Sequence, residues 1–173
     1  MQQGSFTPLT SRFDTEGVVE RMNNTANIFR KAGDKVVFIR HDGTRDNEFI
    51  PGSDQWVILP SLIQQPGDLY IEKTANDCFY SSELERVLRE LCVNDIMVSG
   101  CATDFCVDST IRSALSKDFN VTVIADAHTT ADKPYLDAQK IIQHHNHVWQ
   151  NMIPTKGKIQ VVSFSDFILS ATL

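Results

Sequence analysis

The chain has 173 residues, 42% hydrophobic and 22% charged, enough for one domain with its own core. A formal charge of −6 and an isoelectric point near 5.3 argue against nucleic acid or an anionic membrane as partner. No apolar run approaches the ~18 residues of a membrane span. The opening "MQQGSFTPLTSRFD" lacks the apolar core of a signal peptide, so a cytoplasmic setting is expected, with Cys78, Cys92, Cys101 and Cys106 as free thiols.

In chain order, "DTEGVVERMNNTANIFRKAG" predicts a helix. Asp14 stands at its cap, Val18, Met22, Ala26 and Phe29 recur at helical spacing, and Gly33 ends it. "KVVFIR" is a short continuous apolar run, the pattern of a strand buried on both faces. A long polar stretch from His41 to about Pro66 follows, then the strand "DLYIEK". "SSELERVLREL" predicts a helix with a Ser82/Glu85 capping box. "DIMVSG" is a strand, "TDFCVDSTIRSALSKD" a helix, and "NVTVIAD" a strand. "KPYLDAQKIIQHHNHVW" predicts a helix with Pro134 in its first turn. "KIQVVSF" and "SDFILSATL" close the chain as strand and helix. Strands alternating with helices imply an α/β fold of one domain, a three-layer α/β/α sandwich around a mainly parallel sheet.

"SGCATDFCVDST", residues 99–110, is the stretch most suggestive of chemistry. In open α/β sheets, ligands bind where strands lead into helices, and this is such a junction. Cys106 falls in the expected first helical turn, where unpaired N–H groups and the helix dipole favour a thiolate. Cys101 sits at the strand exit. Four residues between the two cysteines are too many for the common C-x-x-C redox spacing, and no second Cys or His pair completes a zinc site. The remaining readings are small buried hydrophobes or a nucleophile. The first suits Cys78, Cys92 and Cys101, whereas Cys106 occupies an anion-stabilising position. Lys73, taken alone, reads as a solvated surface lysine.

The segment "EKTANDCFYSSELERVLRELCVNDIMVSGCATDFCVDSTIRSA" resembles the isochorismatase-like cysteine hydrolase family, and "ADAHTT" and "QHHNHVW" extend the likeness. That family carries a lysine after one strand and G-x-A-T-x-x-C-V-x-x-T at the next strand's exit. Here Lys73, Gly100, Ala102, Thr103, Cys106, Val107 and Thr110 match. The resemblance implies Cys106 as nucleophile, Lys73 as catalytic partner, backbone N–H groups of Ala102 and Cys106 as oxyanion hole, and a cis bond between Cys101 and Ala102. It implies a small-molecule substrate of amide, carbamoyl or vinyl-ether type, no cofactor, and a homo-oligomer, with "HHNHVWQNMIP" as an interface segment. Phe79, Thr103 and Phe6 are expected at the substrate, with Trp56 and Tyr80 as further wall candidates. Nicotinamidases of the family hold a metal through D-x-H-x-x-x-H. The loop after His41 and Asp42 has no second histidine, so no metal is expected. His144 and His147 read as polar residues near a helix end.

The family's third catalytic group is an aspartate ending the first strand. Met1 and Gln2 match the two residues after it, so strand and aspartate are expected just before Met1. A sheet built from the residues at hand should then be open beside "VVFI" and "IMVS". The alternative is a non-catalytic binding or assembly module on the same fold.

Overall fold

A computed structural model describes residues 1–6 and 11–171. Among these, α1 (Thr15–Ala32) buries Val18 and Val19 and stops at Gly33, whose φ of 87° is a left-handed terminus. Asp14 holds the cap position but makes no side-chain cap bond, because its carboxylate pairs with Arg21 instead. β1 (Val37–His41) and β2 (Leu69–Lys73) follow, then α2 (Leu84–Glu90). The expected capping box does not form. Ser82 Oγ accepts from Leu84 N–H and donates to the Cys78 carbonyl, leaving Glu83 as the cap residue.

β3 (Asp95–Cys101) leads through a π turn (Thr103–Val107) into α3 (Asp108–Ser116). β4 (Asn120–Thr129) runs three residues further than its apolar pattern predicts. α4 (Ala138–Gln150) starts later than Pro134 suggests. Asp137 caps it by accepting from Lys140 N–H at 2.8 Å, and a cap bond outweighs proline's tolerance for a first turn. Residues 133–136 form a tight turn ahead of it. β5 (Ile159–Val162) and α5 (Phe164–Ala171) complete the order.

All strand pairings are parallel, and the fold is α/β in three layers. α2, α3 and α4 cover one face through Leu88, Ile111, Leu115 and Trp149. α1 covers the other through Val19, which packs against Ile58, Leu62 and Phe38, and Phe29 of α1 stacks on Phe167 of α5. Among the described residues the sheet is in two parts, β2–β1 and β3–β4–β5, leaving a lane between β1 and β3 that no described strand fills. Met1 and Gln2 close the lane at its C-terminal end. The Gln2 amide bonds both the N–H and the carbonyl of His41, and Met1 lies against Gly100.

Candidate active site

The C-terminal ends of β2 and β3 bring the site together. Lys73, the last residue of β2, has its ammonium wrapped by residues 74–77. Nζ donates to the carbonyls of Ala75 (2.7 Å) and Asn76 (3.1 Å) and lies 3.0 Å from Cys106 Sγ. Three donors meet three acceptors, which is what allows a lysine to be 5% exposed. The surface reading of Lys73 is therefore wrong: the turn after β2 folds over it. Cys106 Sγ is also 3.6 Å from Asn76 Oδ1.

The β3 exit explains how the sulfur gets there. Gly100 has φ of +120°, a backbone state that side-chain-bearing residues rarely adopt, and the Cys101–Ala102 bond is cis. The N–H groups of Phe105 and Val107 both bond the Ala102 carbonyl at 3.1 Å. This makes a wide π turn, so Cys106 precedes α3 rather than sitting in its first α-turn, as the sequence suggested.

The other thiols differ in surroundings. Burial raises the pKa of Cys78 and pushes that of Cys101 up to about 11. Cys92 is exposed. The Met1 nitrogen is buried near Cys101, Cys106, Cys78 and Lys73. His41, in register with Lys73, is lowered by burial and then by the lysine's charge. Among the described residues no carboxylate hydrogen-bonds Cys106 Sγ or Lys73 Nζ.

The residues expected at the substrate each have partners of their own. Phe79 is buried in the main core, stacked on Phe119 at 5.6 Å. Thr103, in the same turn as Cys106, is fully buried and bonds His128. Phe6 lies in a short 3-10 turn (Gln3–Phe6) with the Arg12 guanidinium over its ring. Trp56 lies under Arg40, and Tyr80 is exposed. Trp149, the aromatic of the expected interface segment, is fully buried, with its indole N–H on Asp108.

The sequence reading missed the polar residues behind the turn. His128 and Thr129 end β4 and Thr130 follows it, all within 1% of complete burial. Thr129 donates to the Phe13 carbonyl and Thr130 to Asp104 Oδ1 at 2.6 Å. Asp104 also pairs with Lys133 at 3.1 Å, and these bonds hold its carboxyl below the usual range although burial pushes it up. The signal was present in "AHTT", three polar residues closing an apolar strand.

A ureidoacrylate amidohydrolase RutB of Stutzerimonas stutzeri (strain A1501) is 26% identical over 144 residues, covering 65% of this chain and 57% of that protein. A streptothricin hydrolase of Streptomyces noursei is 28% identical over 121 residues, covering 70% of this chain and 48% of its own. The chain thus spans about half the length of these relatives. The crystal structure of an isochorismatase family protein superposes with a TM-score of 0.84 at 29% identity, covering 92% of each chain. The Isochorismatase domain model matches residues 1–153, a span that runs from Met1 at the lane through Lys73 and Cys106 to the end of α4. By that match and the shared architecture, this chain belongs to the isochorismatase family.

Proposed function

We propose that the chain is a cysteine-dependent hydrolase of small amide or carbamoyl compounds, with Cys106 as nucleophile. The observation that carries this reading is the buried Lys73 ammonium 3.0 Å from Cys106 Sγ at the strand ends. The ammonium offers a fixed counter-charge to a thiolate and to charge developing beside it. The relatives' names, an amidohydrolase and a hydrolase, support a C–N bond as the one cleaved.

In this reaction the thiol gives its proton to a base and sulfur bonds the substrate carbonyl carbon. The carbonyl electron pair moves to oxygen, which the N–H groups of Ala102 and Cys106 receive, each worth about 3 kcal/mol of barrier. The C–N bond then breaks and the amine leaves with that proton. Water adds to the thioester, the C–S bond breaks, and the acid departs as the thiol re-forms. In the family that the chain resembles, this base is an aspartate. A homo-oligomer belongs to the same proposal and is tested by light scattering.

Limiting iodoacetamide at pH 6.5 should alkylate Cys106 before the exposed Cys92, as read by peptide mass spectrometry. Ammonia release from a panel of ureido, carbamoyl and simple amides should fall to background in Cys106→Ala. Turnover that survives this substitution overturns the mechanism. The second reading, a binding module, is favoured by the lack of a carboxylate on Lys73 or Cys106 among the described residues. Selective Cys106 labelling with no turnover of any panel compound would support it.

A further inference from the structure

Behind the nucleophile's turn lies a relay of buried polar groups that the mechanism above does not use. Asn146 of α4 donates from Nδ2 to the Ala125 carbonyl at 2.8 Å, which fixes its amide with Oδ1 facing His128 Nε2 at 2.9 Å. An amide oxygen only accepts, so Nε2 carries the proton. The neutral ring's Nδ1 is then an acceptor, and the Thr103 hydroxyl 2.9 Å away must donate to it. Thr103 is the first residue of the π turn that holds Cys106.

The same helix grips the other end of that turn. Trp149 of α4 donates its indole N–H to Asp108, the first residue of α3, at 2.8 Å. The indole also packs at a steep angle to the His128 ring, with centroids 5.1 Å apart. His128, Thr103 and Trp149 are each at most 1% exposed. A turn pinned at both ends by one helix has little freedom to rotate, and rotation is what would carry the sulfur away from Lys73.

We infer that His128 is a positioning residue, which as the Nε2–H tautomer links α4 to Thr103 and so holds Cys106 Sγ against the Lys73 ammonium. This rests on Cys106 being the nucleophile. The relay is a directional chain in a dry interior, where every member has its partner and a reversed donor would leave one unpaired. Gln at position 128 can accept from Thr103 and donate to Asn146, and Phe can do neither.

Nitrogen-15 NMR of the imidazoles in the unaltered protein at pH 7 should show His128 as the neutral Nε2–H tautomer. An Nδ1–H or doubly protonated ring overturns the relay without any variant having to fold. The second arm measures alkylation of Cys106 by iodoacetamide relative to Cys92 of the same molecule, in His128→Gln, His128→Phe and Thr103→Val. Cys106 labelling should drop about tenfold or more in the Phe and Val variants, the scale expected for a displaced reacting group, and stay near the original rate in the Gln variant. General loosening of the fold would instead raise labelling of the buried Cys78. Unchanged Cys106 labelling in folded His128→Phe and Thr103→Val overturns the inference. Failure of Cys106 to outpace Cys92 in the unaltered protein would refute the nucleophile assignment itself, a separate outcome.

Discussion

β4 and β1 carry similar apolar sequences and have different surroundings. β4 is paired on both edges, to β3 and β5, and its Val123 and Ile124 are fully buried. Among the described residues β1 is paired to β2 alone, and every residue from Val37 to His41 is half-buried. β3 shares the open edge, and Ile96, Met97 and Val98 are half-buried too. A strand of continuous valine and isoleucine is built for burial on both faces. Along the edges of β1 and β3 that border the lane, no backbone ladder forms among the described residues. Lys73 and Cys106 come from opposite sides of the lane and meet at its C-terminal end.

The sharpest way to break this comparison is to fill the lane. A segment of about five apolar residues ending in aspartate, joined to the Met1 nitrogen, is strand-sized. Completing the burial of β1 and β3 side chains should add about 3–4 kcal/mol. Tm should then rise by about 10 °C, at about 2–4 °C per kcal/mol for a chain of this size. Amide hydrogen exchange in β1 and β3 should slow toward that of β4. The same segment ending in alanine should give the same rise without any gain in turnover, separating sheet completion from the supply of a base. No rise and no added protection would mean that the lane does not accept a strand.

Acid sharpens the comparison from the closed side. His128, at the end of β4, is held down to about 4 by burial, with Asp126 opposing and His145 assisting, against 6.5 for a free histidine. Asn146 favours the charged form but does not outweigh burial. Between these values the unfolded chain binds a proton that the folded chain refuses. The stability from the neutral ring is therefore complete above pH 6.5 and is lost as pH falls toward 4, by about 3 kcal/mol. His41, beside the lane, is shifted in the same direction but only half-buried. Urea midpoints at pH 7 and 4.5 should converge between the original protein and His128→Gln at the lower pH. An equal acid loss in both would show that other groups dominate.

The same contrast explains what was legible beforehand. Continuous apolar runs such as "KVVFIR" and "DIMVSG" announce parallel strands because sheet burial demands that composition, and the alternation with helices announces the layers. Helix starts were less legible, because Ser82 and Pro134 were competing with bonds seen only in three dimensions, to the Cys78 carbonyl and to the Asp137 carboxylate. Trp149 looked like an interface residue because periodicity does not say which face of α4 meets the core. Lys73 needed the turn after β2 folded over it, and the His128–Thr103 bond joins residues 25 apart in sequence. The motif around Cys106 could be read locally, and the groups that hold it in place could not.

One substitution made at two positions measures the two regions against each other. Ile124 of β4 is fully buried and Ile39 of β1 is half-buried beside the main core. Ile→Ala in a closed core costs about 2–5 kcal/mol from lost burial and the cavity left behind. Ile124→Ala should fall in the upper part of that range, since β3 and β5 hold the site rigid on both sides. Ile39→Ala should cost about 1–2 kcal/mol, because part of the side chain already meets water and the lane can relax around the smaller residue. Chemical denaturation of the two variants gives the difference directly. The decisive version repeats it in the lane-filled protein. Ile39 would then be covered, and its cost should climb toward that of Ile124, whereas Ile124→Ala should be unchanged because distant sites add independently. Equal costs at both positions in the original chain would mean that the open edge beside β1 does not weaken it.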